Sequence, residues 1–315
     1  MSRRGLVLGA GGVLGFTWTV GALHALEQSI GLDVRDMDVI VGTSAGSIMA
    51  AVLSCGVGVD VVLRHQRGQA RPGDVRIDWD YDSDSGGALP PLPMLGVGSP
   101  RLLARVARHP TRFTAITAAS ALLPKGRGRL APVSGMVERI GQGAWPDRET
   151  WIVAMDYQTG RRTVFGQPGS PPARLSEAVA ASCAIPGWYA PAKIGGRAYV
   201  DGGTISAASL DLLAGSGLDE AYVVAPMAAR GYDMPWSVVG QVERRFRRTV
   251  TRQLHREAAK VEAAGTAVTM LAPGPDDLRA IGANMMDHRR RRVVLRTALL
   301  TTTEALRAGR GDLSA

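Results

Sequence analysis

The chain has 315 residues, 45% of them apolar and 21% charged, a globular composition with room for one large domain or two small ones and length enough to bury a sizeable core. A surplus of Lys and Arg, 37 against 28 Asp and Glu, leaves a net charge of +9 and favours polyanionic partners. Aromatics make up only 5% and no nucleic-acid module is visible, so an anionic membrane surface is expected and nucleic acid is not. Two cysteines, Cys55 and Cys183, exclude a disulfide framework and lack zinc-ligand spacing; they suit small buried hydrophobes in a reducing, cytoplasmic setting.

An apolar run from Leu6 to Leu23 follows Arg3 and Arg4 and is outwardly like a signal peptide. Gly9, Gly11, Gly12 and Gly15 interrupt it, which predicts instead a strand over Gly5–Leu8, a glycine loop, and a helix from about Phe16, with Val20, Leu23 and His24 at helical spacing over Thr17–Ser29. Val39–Val41 reads as a buried strand and Ala45–Cys55 as a helix. This βαβα order implies a parallel sheet with helices on its faces. From Arg71 to Pro93 the chain turns polar, with Asp78, Asp80, Asp82 and Asp84 alternating, as in a solvated loop rather than a metal site. Arg101–Leu123 reads as one helix whose polar positions are mainly Arg. Trp151–Ala154 and Arg162–Phe165 read as paired strands around the turn Gln158–Gly160. A helix over Leu175–Ala181 and strands over Ala198–Val200 and Ala221–Ala225 come next. From about Trp236 the chain is mostly helical and strongly basic. There is no internal repeat and no segment long and apolar enough to span a bilayer.

Three local patterns carry chemistry. Gly42-Thr43-Ser44-Ala45-Gly46 stands where a strand hands over to a helix. Such a turn strains the serine backbone, needs small neighbours such as Gly42 and Gly46, and presents Oγ beside a helix N-terminus that favours developing negative charge. The run Gly9-Ala10-Gly11-Gly12-Val13-Leu14-Gly15 has two readings. The dinucleotide fingerprint fails in register because Leu14 fills the third glycine place, and no phosphate-loop Lys comes after it. An oxyanion hole needs only unobstructed backbone N–H groups. Asp201-Gly202-Gly203 ends a strand with glycines that let the carboxylate turn sharply; alone it is a common turn.

Together these patterns resemble the patatin-like phospholipase family. The resemblance is strengthened by Ala181-Ser182-Cys183-Ala184-Ile185-Pro186-Gly187 ahead of Asp201-Gly202-Gly203, and more weakly by Asp156 with Thr159-Gly160 and by Asn284-Met285-Met286-Asp287. It implies a Ser44–Asp201 catalytic dyad, an oxyanion hole at Gly11 and Gly12, a lipid ester substrate, and no cofactor or metal. The implied fold is α/β, three-layered, with a mainly parallel central sheet, patatin-like: a single domain with its core over about 5–230 and a basic helical C-terminal part over about 236–315. One departure stands out: Leu14 occupies a place where the family usually has Arg, which removes a cation near the oxyanion or a substrate phosphate.

Two other readings stay open at this point. A Ser–His–Asp esterase would draw its base from His24, His65, His109, His255 or His288, none beside a catalytic pattern. A catalytically silent peripheral membrane protein would dock through Arg244-Arg245-Phe246-Arg247-Arg248 and Arg289–Arg292, though such runs also serve as solvated faces or ion-pair partners. A nicotinamide-binding oxidoreductase is set aside by the glycine register. Composition sets no oligomeric state.

Overall fold

A computed structural model describes residues 2–77 and 89–309; the alternating aspartates Asp78 to Asp84 lie outside them. Among the described residues, eight strands form one sheet: β1 (Arg4–Leu8), β2 (Val39–Thr43), β3 (Glu149–Asp156), β4 (Arg162–Phe165), β5 (Ala192–Ile194), β6 (Arg197–Asp201), β7 (Glu220–Val224) and β8 (Ala267–Leu271). Their order is β5-β6-β3-β2-β1-β7-β8, with β4 also on β3. The run β3-β2-β1-β7-β8 is parallel; β4, β5 and β6 pair antiparallel.

The central strands are apolar on both faces, as a sheet covered on both sides demands. Leu6, Leu8, Ile40 and Ile152 enter one core cluster; Val7, Val39, Val41 and Val153 enter the other, in keeping with the period-two alternation of a strand. The first face is covered by α1 (Gly12–Ile30), α2 (Ala45–Ser54), α3 (Val59–Arg67), α6 (Ala131–Gly141), α7 (Leu175–Ser182), α9 (Pro275–Ile281) and α10 (Arg291–Arg307), and the second by α8 (Val238–Ala263). α4 (Pro100–Arg108) and α5 (Ala115–Leu122) pack Leu102 and Ala121 on Met155, Tyr157 and Val200 at the antiparallel end. Each fully buried aliphatic side chain here contributes about 1.5–3 kcal/mol to folding.

The structure departs from the sequence expectations at four places. The first helix begins at Gly12, not near Phe16, so the glycine loop shrinks to a tight strand-to-helix turn. The helix expected over Arg101–Leu123 is two helices separated by His109–Thr114, because Pro110 lacks an N–H and crowds the preceding residue. The basic C-terminal region is not wholly helical: Ala267–Leu271 is a parallel edge strand on β7. Finally, the Arg244–Arg248 run does not form a solvated face throughout. Arg244 and Arg247 are 4% and 0% exposed and ion-paired to Asp233 and Glu243, while Arg245 and Arg248 face solvent.

Two strand ends are brought together by the pairing along β3. That strand pairs with β2 through Val153 and with β6 from Ala154 onward, while β4 occupies the opposite edge over Ile152–Met155. A strand has two edges, so β2 and β6 lie end to end along the same one. Since β2 is parallel to β3 and β6 antiparallel, their C-terminal ends meet. Thr43 opposes Val153 and Asp201 opposes Ala154, adjacent residues on one strand.

Candidate active site

Ser44 sits in the turn between β2 and α2 with φ 54° and ψ −124°, a left-handed conformation costing a non-glycine residue on the order of 1–3 kcal/mol. The two flanking glycines are sterically required. A Cβ on Gly42 would stand 2.6 Å from the Gly46 carbonyl oxygen, and one on Gly46 would stand 2.0 Å from the Leu8 carbonyl oxygen. The turn is held by side chains to which local sequence pattern assigns no role. Ser182 Oγ accepts from the Ser44 N–H at 2.8 Å and donates to the Val153 carbonyl at 2.6 Å. The Ser44 carbonyl accepts from Ser47 Oγ at 2.6 Å and from Cys183 Sγ at 3.3 Å. Burial pushes the Cys183 thiol pKa up, which keeps it protonated as a donor.

Asp201 arrives from the end of β6. Its N–H donates to the Ala184 carbonyl at 3.0 Å and its carbonyl accepts from Thr204 Oγ1 at 2.7 Å. The residue is 5% exposed. Its carboxylate accepts the Gly203 N–H at 2.7 Å and lies close enough to the Ser44 hydroxyl for that group to lower its pKa. Burial pushes its pKa up to about 6, against the lowering effect of the Ser44 and Gly203 hydrogen bonds.

The glycine turn closes a third side. Gly9 N–H bonds to the Val224 carbonyl, Ala10 N–H to Ala207, Leu14 N–H to Met285 and Gly15 N–H to Gly11. That leaves the N–H groups of Gly11, Gly12 and Val13 without an acceptor among the described residues, as expected at a helix start. Gly12 has φ 57° and its missing Cβ makes room for Met286 Sδ. Asn284, Met285 and Met286, marked in the sequence only by a weak family match, therefore form a wall of the site. Leu14 is fully buried in the core and lines neither cavity at Ser44.

Two cavities meet at Ser44 and share Gly12, Ser44, Ile185 and Met286 as lining. One is an open cleft that also exposes Gly11, Asp201, Trp188 and Phe246. The other is an apolar slot lined by Val13, Phe16, Ile48, Val133 and Tyr189. No Lys, Arg or His of the described residues lines either, so the five histidines are placed away from Ser44. No group of His, Cys, Asp and Glu among the described residues could hold a metal ion, and none of the described helices is long and apolar enough to cross a membrane.

A mainly parallel α/β sheet with a strained serine turn opposite a buried carboxylate defines the class of this protein. A model of the patatin-like phospholipase family matches residues 6–214, well over half of the chain and including both Ser44 and Asp201; the chain belongs to that family. Among solved structures it is similar to VipD from Legionella pneumophila, at 13% identity and a TM-score of 0.44 over 98% of this chain and 67% of that one. It is also similar to the type III effector protein ExoU, at 15% identity and a TM-score of 0.39 over 98% of this chain and 54% of that one. No curated protein matches the sequence.

Proposed function

We propose that the chain hydrolyses carboxylic esters of lipids through a Ser44–Asp201 dyad and an acyl-enzyme. The observation that carries this reading is the strained Ser44 beside a buried carboxylate at the junction of two cavities. Ser44 Oγ attacks the ester carbonyl as Asp201 takes its proton. The proton passes to the leaving alcohol, which departs with the C–O bond. Water, deprotonated by Asp201, then attacks the acyl-serine and returns Ser44 with its proton. Gly11 and Gly12 N–H groups receive the oxyanion, and the N-terminus of α2 adds a favourable field. The apolar slot takes the acyl chain and the open cleft the alcohol portion. The absence of any histidine of the described residues from the cavity walls favours the dyad over a triad.

The substrate is met at a bilayer surface. Trp236, Val238, Val239 and Val242 are 101%, 75%, 69% and 58% exposed and lead along α8 to Phe246, a residue of the cleft wall. This apolar face replaces the arginine run as the membrane contact, since half of that run is internal.

The test is Ser44→Ala. Hydrolysis of a soluble monomeric ester and of lipid vesicles should fall by about 10⁴-fold or more with the melting temperature kept, and covalent fluorophosphonate labelling should disappear. A wild-type protein that takes no label and cleaves no ester would establish a silent membrane-binding protein instead.

A further inference from the structure

At the antiparallel end of the sheet, α4 lies across the β3–β4 turn. Its exposed face carries Arg101, Arg105 and Arg108, neighbours at helical spacing. Arg197, from the start of β6, joins them in lining one surface concavity of about 460 Å³ completed by Gln158 and Thr159. None of these residues lines the cavities at Ser44.

Rigid elements hold this concavity. Asp156 Oδ1 accepts the N–H groups of Gln158 and Thr159, both at 2.9 Å. Ser99, the N-cap of α4, donates to the Tyr157 carbonyl at 2.5 Å, and the Tyr157 hydroxyl donates to the Ser120 carbonyl at 2.6 Å. Gly160, at φ +68°, sits so close to α4 that a Cβ would come within 2.7 Å of Leu102 and of Phe113. The arginines therefore project from a helix locked to the turn beneath it.

Among the described residues, the charge here is unbalanced. Arg197 is paired with Asp156 at 2.7 Å and Arg101 donates to Gln158 Oε1 at 3.1 Å. Among the described residues, Arg105 and Arg108 have no carboxylate partner. Like charges three and four residues apart destabilise a helix, and a bound anion would relieve that cost. The planar guanidinium fork matches phosphate oxygens two at a time, and Thr159 and Gln158 add neutral donors. Arg105 and Arg108 offer two open forks, and Arg101 and Arg197 add charge beside them, so that even after pairing with Asp156 the concavity holds more positive charge than one phosphate balances. We propose that this concavity binds a multiply phosphorylated anion, with the chemistry of a polyphosphorylated inositol headgroup, whether held in a bilayer or free. Leu92 and Leu95, 84% and 102% exposed just before α4, favour the bilayer-held source.

The site is independent of ester hydrolysis, so titration and the soluble-ester assay report on the two readings separately. The full chain is titrated with inositol hexakisphosphate by calorimetry. It is also sedimented with zwitterionic vesicles carrying either phosphatidylinositol bisphosphate or phosphatidylserine at matched charge. The wild type should prefer the bisphosphate vesicles. Binding to the soluble probe as well assigns the headgroup chemistry whatever its anchor; binding to the vesicles alone assigns the lipid source. Arg105→Gln/Arg108→Gln should weaken this binding about tenfold or more, with soluble-ester hydrolysis and melting temperature unchanged. Should the double variant melt early, Arg108→Gln alone, at the exposed last turn, should still weaken it about threefold. Equal binding to the phosphatidylserine vesicles, or variants that bind as the wild type does, would overturn the proposal.

Discussion

The proposed dyad asks Asp201 to be both buried and basic, and the two demands conflict in a measurable way. Its pKa is raised to about 6 mainly by burial, so the native state holds a proton more tightly than the unfolded chain between about pH 4 and 6. Its contribution to stability is present at low pH and lost as pH rises through 6. Asp201→Asn should therefore abolish hydrolysis yet be more stable than the wild type in denaturant titration at pH 7–8, by up to about 3 kcal/mol, with the gap closing below pH 4. For the same reason, kcat/KM of the wild type on a soluble ester should fall as pH drops through about 6. That acid limb should survive replacement of all five histidines; its disappearance with any one of them would point to a triad. Ser182 presents a subtler case. It bridges the Ser44 N–H and the Val153 carbonyl, so Ser182→Ala should lower kcat by about 10–100-fold through misplacement of Oγ, with KM little changed, as single-turnover and steady-state kinetics would separate. The role proposed for Ser44 can be read from sequence because Gly42 and Gly46 flank it closely in the chain. That of Ser182 cannot, since it arises only where α7 meets the elbow.

At the scale of elements, apolar periodicity locates most strands and helices, and it fails where tertiary contact overrides local pattern. β8 is short and embedded in a basic helical region; it becomes a strand because β7 offers it a parallel edge. The arginine run is ambiguous for a helical reason. On α8, Arg244 and Arg247 fall on the inward side and Arg245 and Arg248 on the outward side, a consequence of 3.6 residues per turn. Arg247 bonds to the carbonyls of Pro226 at 2.6 Å and Ala228 at 3.2 Å and pairs with Glu243. Arg247→Ala should cost about 3–5 kcal/mol, because it takes the donor from the buried Pro226 and Ala228 carbonyls and leaves Glu243 with Arg244 as its remaining cation. Arg245→Ala should change stability by less than about 0.5 kcal/mol. Denaturant titration of the two variants side by side measures the difference. Equal, small effects would mean that the pairing contributes nothing net.

As a whole molecule, the protein builds its site from segments far apart in the chain. The family match ends at residue 214, yet Phe246 and Asn284–Met286 line the cleft, and the Met285 carbonyl caps the Leu14 N–H at 2.9 Å. The region that reads in sequence as a basic helical appendage thus completes the wall of the cleft. Its exposed face on α8 gives a further expectation. Trp236→Ala/Val239→Asp should leave a soluble monomeric ester untouched and slow hydrolysis in zwitterionic vesicles by about tenfold or more, since each buried apolar side chain contributes about 1.5–3 kcal/mol to partition. An equal loss on both substrates would relocate the effect to folding.

The end-to-end seating of β2 and β6 on β3 makes that strand a ruler for the proposed chemistry. The reach between Ser44 and Asp201 is a matter of two neighbouring peptide units, Val153 and Ala154, and not of the long stretch of chain between them. Loops in that stretch can lengthen, shorten or diverge with no error passed to the reacting atoms. One extra residue between those two positions would add about 3.3 Å and turn a side chain to the wrong face. The molecule is thus tolerant along its surface connections and intolerant at this joint.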